Sequence, residues 1–368
     1  MLDMIHNGQA HGDVASRLLS SGGDFRSLRP WLGEDGKSYV TVNTGTDGKG
    51  QPRYEAVPTS NSATLRKDEW IRFDEVVIRA ARQRLRAYAD LRNANVYGGF
   101  DGMSSMILEH ETMSDPGEAF VDFDAMTEGN RDAPLFQLEG LPLPIIHSPF
   151  WFSSRRLMIS RKLGTPLDTA MGEAAGRRVA EEIEKMTIGS IAGPSLSPGN
   201  VSDYGSTPRV YGYTNFPDRV TKTDVTAPTA SGWTPEQAVD DILDMINSLN
   251  NNKFYGPFKC YHSTDWSQYM DKDYSDAKGD NTLRDRIGAI DQIDGPPVRL
   301  DFLEDTFTLL LVQMTPDVAR AVNGMEIRTV QWQSMGGMRL NFKVMAIQVP
   351  QLRSDFDGNT GIAHGTTS

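Results

Sequence analysis

Six histidines, one cysteine and a cluster of aspartates are the residues through which this chain could do chemistry. A metal site or an acid–base pair needs such side chains at short, regular spacings. His6, His11, His110, His147, His262 and His364 are scattered, and none has a ligand-like neighbour. His147, between Ile146 and Ser148, reads as a packed or interface residue rather than a base. Cys260 sits in the apolar run Phe258-Lys-Cys-Tyr-His262 and reads as inert core, since an apolar setting raises a thiol pKa. Asp271, Asp273, Ser275 and Asp280 approach the spacing of a calcium loop. The match fails because Asp276 stands where the loop needs glycine and Thr282 where it needs glutamate. These acids therefore read as a solvated loop, as do Asp240, Asp241 and Asp244 on the polar side of a helix. HExxH, Walker, GxGxxG and GxSxG patterns are all absent. No catalytic residue, cofactor or metal site is assigned, and the chain reads as an assembly protein rather than an enzyme.

The elements around these residues support that reading. The 368 residues suffice for one large core or two modest ones, and 34 glycines and 20 prolines imply long loops. A net charge of −12 argues against a dedicated nucleic-acid binder, though it does not exclude a container whose inner wall must avoid gripping its contents. A single cysteine rules out an intrachain disulfide framework and fits a reducing cytoplasm. The start Met1-Leu-Asp-Met-Ile-His lacks the pattern of a signal peptide, and no apolar run is long enough to span a bilayer.

Residues 1–64 read as an arm that orders on a partner, with a helical turn at Val14–Leu19, an edge strand at Ser38–Asn43, and Phe25, Trp31 and Tyr39 among its anchors. A helix is predicted from Leu65 to about Asn93, with Trp70, Phe73, Val77, Ala80 and Leu85 on its buried face. Arg72, Arg79, Arg82 and Arg86 line another face, interrupted by Glu75; they are either solvated or meet phosphate or an acidic neighbour. Ala119–Ala125 and Leu135–Phe152 predict a long projecting hairpin, whose Pro142, Pro144 and Pro149 bar it from the middle of a sheet. Such a hairpin is marginal alone and needs support from another chain. A second helix is predicted over Pro166–Ile188, with Gly172 and Gly176 compensated by close packing of another backbone. A linker follows at 193–208, and a third helix over Pro235–Leu249 carries the capping box Thr234–Gln237. Its inward face is Val239, Ile242, Leu243, Ile246 and Leu249. Strands are predicted at Phe258–His262, Val298–Leu303, Phe307–Met314, Glu326–Trp332 and Met338–Ile347, the last half-buried by its strict alternation. Helical segments followed by a strand-rich half give an α+β fold.

This order of elements resembles the major capsid proteins of tailed double-stranded-DNA bacteriophages, in the branch that shares its fold with encapsulins. Four segments carry the likeness: Leu65–Asp74, Leu141-Pro-Leu-Pro-Ile-Ile146 running on to Arg161, Pro166–Ile188, and Thr234-Pro235 with Tyr255-Gly-Pro-Phe258 and Thr264-Asp-Trp266. Arg286–Ile290 and Phe307–Met314 continue it, so that it covers roughly 65–350. The resemblance implies an N-terminal arm (1–64), a peripheral-domain helix (65–97) and an extended loop (98–160). A spine helix within the peripheral domain (161–207), an axial domain (208–325), and strands returning to the peripheral domain with a tail (326–368) complete it.

The same resemblance implies hexamers and pentamers that tile an icosahedral shell around double-stranded DNA, the alternative being an encapsulin compartment around a cargo enzyme. Partners would be copies of the chain, scaffold and portal proteins, with decoration proteins a further candidate, and weakly held DNA; no membrane and no cofactor are implied. The location would be the virion head, assembled in the host bacterial cytoplasm. Trp31, Phe150, Trp151, Phe152, Arg155, Arg156 and Arg161 would make inter-subunit contacts. Asp271, Asp273, Asp276 and Asp280 would line the capsomer axis, and Arg72, Arg79, Arg82 and Arg86 would touch DNA on the inner face. No lysine lies between Lys67 and Lys162, so the Lys–Asn weld some such shells form from the extended loop is not expected.

Overall fold

The structure is a computed structural model that describes residues 4–6, 9–11, 30–32, 38–46, 52–58, 75, 77–79, 85–114, 121, 123–124, 133–162, 170–191, 208–274, 281–303 and 306–367. Side chains are described from Glu75 onward, those of 157 and 160–162 excepted. The chain divides into two compact units: residues 1–81, 147–178 and 328–345 form the first, and residues 82–146, 179–327 and 346–368 the second.

In the first unit, β1 (Met4–His6) pairs with β2 (Gln9–His11), and β3 (Pro30–Leu32), β4 (Ser38–Thr46) and β5 (Pro52–Pro58) form an antiparallel sheet. Within the expected arm these strands pair with one another, and Ser38–Asn43 belongs to the central strand β4 rather than an edge. The helical turn expected at Val14–Leu19 lies outside the described residues, as does the linker at 193–207.

The helix predicted from Leu65 to Asn93 is not continuous. Glu75 and residues 77–79 are helical, Leu85 and Arg86 are not, and α1 (Ala87–Ala94) begins afresh. A helix start needs acceptors for its free N–H groups. Glu184, about a hundred residues away, supplies them: its carboxylate accepts from the backbone N–H of Arg86 at 3.0 Å, Ala87 at 2.7 Å and Tyr88 at 3.1 Å.

After β6 (Val96–Tyr97) the chain forms an antiparallel hairpin of β7 (Ile107–Met113) and β8 (Phe136–Pro142), in register from Ile107↔Pro142 to Met113↔Phe136. The hairpin is as expected, but its first strand is not Ala119–Ala125: Val121 and Phe123 lie beyond Met113, outside either strand and fully exposed. β9 (Ile146–Ser153) ends where α2 (Ser154–Lys162) begins, so the returning strand does not run on to Arg161. Ser153 Oγ accepts from Arg156 N–H at 3.3 Å, the geometry of a helix N-cap, and this stops the strand.

Helix α3 (Ala170–Ile188) ends as predicted, while Thr165 and Pro166 lie outside the described residues. A Cβ on Gly176 would sit 2.7 Å from the Val77 carbonyl oxygen, so this glycine does permit a close backbone approach. Beyond β10 (Val220–Lys222), α4 (Pro235–Asn251) starts at the predicted capping box, with Gln237 Oε1 accepting from Thr234 N–H at 3.2 Å. Leu243 is exposed rather than inward, and Asp241 is buried rather than solvated. Asp241 accepts from Thr226 N–H at 2.9 Å and lies 3.5 Å from Lys222 Nζ.

The core of the second unit is a five-stranded sheet ordered β10-β16-β13-β11-β12, made of β11 (Phe258–His262), β12 (Val298–Arg299), β13 (Leu309–Gln313) and β16 (Ile362–Gly365) with β10. Helices α4, α5 (Ser267–Met270) and α6 (Leu283–Gly288) pack Ile242, Leu249, Met270 and Ile287 against it, joined by Trp266 from the turn before α5. β14 (Ala319–Ser334) and β15 (Arg339–Leu352) join β6 and β9 in a four-stranded sheet ordered β6-β14-β15-β9. β9 is an edge strand there, which accommodates Pro149.

Candidate assembly surfaces

Alternation along β9 and β15 gives the four-stranded sheet two unlike faces where these strands pair. Phe150 and Phe152 turn inward onto Phe342, the first stacked at 5.2 Å and 8°, the second edge-on at 5.7 Å and 72°. Leu340 and Val344 share that buried face. These two phenylalanines are therefore core residues, and of the three aromatics named from sequence only Trp151, 52% exposed, presents its ring to the surface.

The opposite face carries a pair of cation–aromatic contacts. The Arg339 guanidinium lies 4.2 Å from the centre of the Trp151 ring, and Lys343 Nζ lies 5.6 Å from that of Trp332, itself 42% exposed. Arg339 and Lys343 are four residues apart on one strand and so share a face. His147 and Pro149 flank Trp151 on β9, and Arg328 and Val330 precede Trp332 on β14, all four exposed. Residues 147–162 and 328–345 together contain seven Lys or Arg and no Asp or Glu.

In the second unit the β7–β8 hairpin has the opposite character. Met113, Leu135 and Phe136 are each more than half exposed, and Glu109 and Glu111 are exposed on β7. Residues directly opposite in the ladder share a face, so Met113 with Phe136 and Glu111 with Leu138 lie on one side. At the base of the hairpin an open groove of about 310 Å³ is lined by His110, Glu139, Arg209, Tyr211, Asp218 and Gln351, among others. His110 is tied down within it: Nε2 lies 3.1 Å from Glu139 Oε2 and Nδ1 3.1 Å from Gln351 Nε2.

The remaining residues named from sequence are spread widely. Asp271 pairs with Arg284, 3.0 Å from Nη2 and 3.1 Å from Nε, and Asp273 bridges to Thr282; Asp276 and Asp280 lie outside the described residues. Arg79 is exposed, and Arg86 donates to the Arg299 carbonyl at 3.3 Å. Arg72 and Arg82 lie outside the described residues, as do the side chains of Trp31 and Arg161. Arg155 and Arg156 are exposed on the first turn of α2.

Groups with altered acidity are sealed in the second unit. Burial pushes the Cys260 thiol up to about 12 and holds His262 down at about 4. Burial also raises the Glu184 carboxyl to about 7, against the opposing pull of its three N–H donors. Around it, Tyr261 donates to Asp90 at 3.0 Å and stacks on Tyr213, with ring centres 6.4 Å apart. Sequence reasoning missed Glu184, because its partners are distant in the chain. The alternation of β15 did put Arg339 and Lys343 on the face opposite Leu340 and Phe342, but neither they nor Trp332 were singled out as contact residues. Among the described residues no three His, Cys, Asp or Glu side chains cluster to hold a metal, and no helix is long and apolar enough to cross a membrane.

Comparison with known proteins supplies the frame. Residues 60–365 match a family described as a family of unknown function, DUF6260. No curated protein matches. Among solved structures, the capsid of the Myoviridae phage XM1 superposes with a TM-score of 0.55 at 11% identity, over 75% of this chain and 90% of that one. A virus-like particle from Pyrococcus furiosus gives 0.52 at 12% identity, over 80% of this chain and 98% of that one. A chain of Mycobacterium phage Che8 gives 0.50 at 14% identity, over 76% and 90%. The fold is thus the α+β capsid fold expected from the sequence.

Proposed function

The chain belongs to the DUF6260 family, and we propose that it is the major capsid protein of a tailed phage, assembling as hexamers and pentamers into an icosahedral head around double-stranded DNA. The observation that carries this is the combination of the capsid fold, spanning 90% of the XM1 capsid chain, with a two-stranded hairpin that leaves Met113, Leu135 and Phe136 in solvent. A lone hairpin gains too little from its own pairing to leave such apolar side chains in water without a partner. Many weak contacts of this kind, repeated around a closed shell, add through multivalency.

The finer roles follow from that reading. DNA meets the inner wall weakly, as a net charge of −12 favours, with Arg79 and Arg86 as its local contacts. The Asp271–Asp280 loop faces the capsomer axis, and Arg155 and Arg156 pair with acids of an adjacent subunit. Scaffold and portal proteins act during assembly in the host cytoplasm, and the finished location is the virion. The reaction-free mechanism is burial of surface, with no catalytic step.

The test is electron microscopy and sedimentation of the expressed full-length chain. Closed shells or capsomer rings are expected, and a solitary monomer under every assembly condition would refute the proposal. Particles that hold a co-purifying enzyme instead of nucleic acid would favour the compartment alternative.

A further inference from the structure

His110 belongs to the β7–β8 hairpin but faces two different parts of the second unit. In the ladder it lies directly opposite Glu139 of β8, with Nε2 3.1 Å from Oε2. From the body of the unit, Gln351 of β15 brings its Nε2 to 3.1 Å from His110 Nδ1. The direction of this second contact is fixed by its far end. Arg320 of β14 holds Nε 2.5 Å from Gln351 Oε1, and a guanidinium can only donate. The oxygen of the Gln351 amide therefore faces Arg320, and its NH2 faces His110. Nδ1 must accept, which places the ring proton of the neutral imidazole on Nε2. Turning the amide over would set NH2 against guanidinium, donor against donor. On the hairpin side the fit is looser: Nε2 is close to Glu139 but makes no hydrogen bond.

We propose that His110 is a proton-operated latch, which ties the hairpin to the body of the second unit when neutral and releases it when charged. A protonated imidazole donates from both nitrogens. Nδ1–H then meets the NH2 of Gln351, and that bond is lost. The same charge strengthens the attraction of Glu139, which is part of the hairpin itself. On taking up one proton, His110 thus changes partner from β15 to β8. Gln351 is buried and cannot turn to accept, because Arg320 pins its oxygen, and the Arg320 guanidinium is in turn held 4.6 Å from the centre of the Tyr97 ring. The groove of about 310 Å³ between the hairpin and residues 208–218 and 351–354 leaves room for the ring to move. Other charged and titratable groups face His110 from several elements. Arg320 and its neighbour Arg353 stand beyond Gln351, while Arg209, Tyr211 and Asp218 line the groove. Glu109 and Glu111 flank it on β7 and point to the other side of the strand. The latch does not depend on the capsid reading, whose failure would leave it intact.

The test is hydrogen exchange of the unassembled full-length chain at about pH 8 and about pH 5, on either side of the ordinary histidine range. Rates are corrected for the intrinsic effect of pH, and the amides of α4 serve as an internal reference. A hairpin released from its support is marginal, so the amides of 107–113 and 136–142 should exchange about tenfold faster in acid, relative to α4. Glu184 cannot imitate this, because burial raises its carboxyl to about 7 and acid therefore stabilises the fold and slows exchange. His110→Gln carries no titrating ring and should abolish the acid effect. Gln351→Glu should abolish it too, since a carboxylate accepts from Arg320 and from a protonated Nδ1–H at once. Circular dichroism checks the folding of both, and if His110→Gln fails to fold, Gln351→Glu decides. Hairpin protection in the wild type that is the same at both pH values would overturn the latch, as would an acid effect that survives Gln351→Glu.

Discussion

Glu184 provides the sharpest stability test. It is 2% exposed, and it replaces a local cap that Arg86 cannot provide. In the unfolded chain its carboxyl titrates near 4.5; in the folded chain burial holds it near 7. Between those values the folded state binds the proton and the unfolded state does not. By linkage, stability then falls as pH rises from about 4.5 to 7 and levels off above, where both states are charged. The difference amounts to about 3 kcal/mol, at ~1.4 kcal/mol per factor of ten in proton affinity. Glu184→Gln removes that titration, so its denaturation midpoint should be nearly flat across this window where the wild type declines. The amide also turns a donor toward the N–H groups of Arg86, Ala87 and Tyr88, which costs roughly 1–3 kcal/mol at low pH. Glu184→Ala leaves the buried N–H groups of Ala87 and Tyr88 without acceptors and should cost more than the glutamine at every pH. Urea denaturation of the unassembled subunit from pH 4.5 to 8.5 reads all three. A glutamine variant that keeps the wild-type slope would show that some other group titrates and that the N-terminal cap of α1 is not the linked site.

Phe342→Ala removes the ring on which both Phe150 and Phe152 rest, and should lower stability by about 3–5 kcal/mol in thermal or chemical denaturation. Gly176→Ala forces a methyl to within 2.7 Å of the Val77 carbonyl oxygen and should cost about 1–3 kcal/mol, read the same way. Cys260, buried and with its thiol pushed up to about 12, should resist maleimide at pH 7.5 in the folded chain and react promptly in denaturant. Asp271→Asn breaks an ion pair whose side chains are 68% and 32% exposed, so stability should change by about 1 kcal/mol or less.

What was legible in the sequence was local. Thr234, Pro235 and Gln237 announce the start of α4 within four residues, and the alternation of 338–347 announces β15. Gly176 in a helix pointed to a close neighbour, though not to Val77 as the one. Phe150-Trp-Phe152 also held its answer: a period of two places the phenylalanines together and the tryptophan opposite. Reading the three as one cluster of contacts overlooked that period. In the first strand of the hairpin, Ile107-Leu-Glu-His-Glu-Thr-Met113, polar residues dilute the apolar pattern, whereas the stronger apolar signal at Phe123 falls in a segment that is not a strand where it is described. The break before α1 was out of reach, since it is made by a carboxylate some ninety-seven residues away.

Among the described residues, the groups whose acidity is shifted most are placed for structure. A catalytic acid, base or nucleophile must have its pKa shifted and must also reach a substrate. Here Glu184, His262 and Cys260 have shifted values, yet each is at most 2% exposed, closed in by the core of the second unit. Their burial serves to hold helix and sheet together. Among the described residues, the indoles and cations of one sheet face and the acids and apolar side chains of one hairpin do reach solvent. Both are flat or projecting, rich in aromatic area, and opposite in charge, the geometry in which affinity comes from burying surface on another chain.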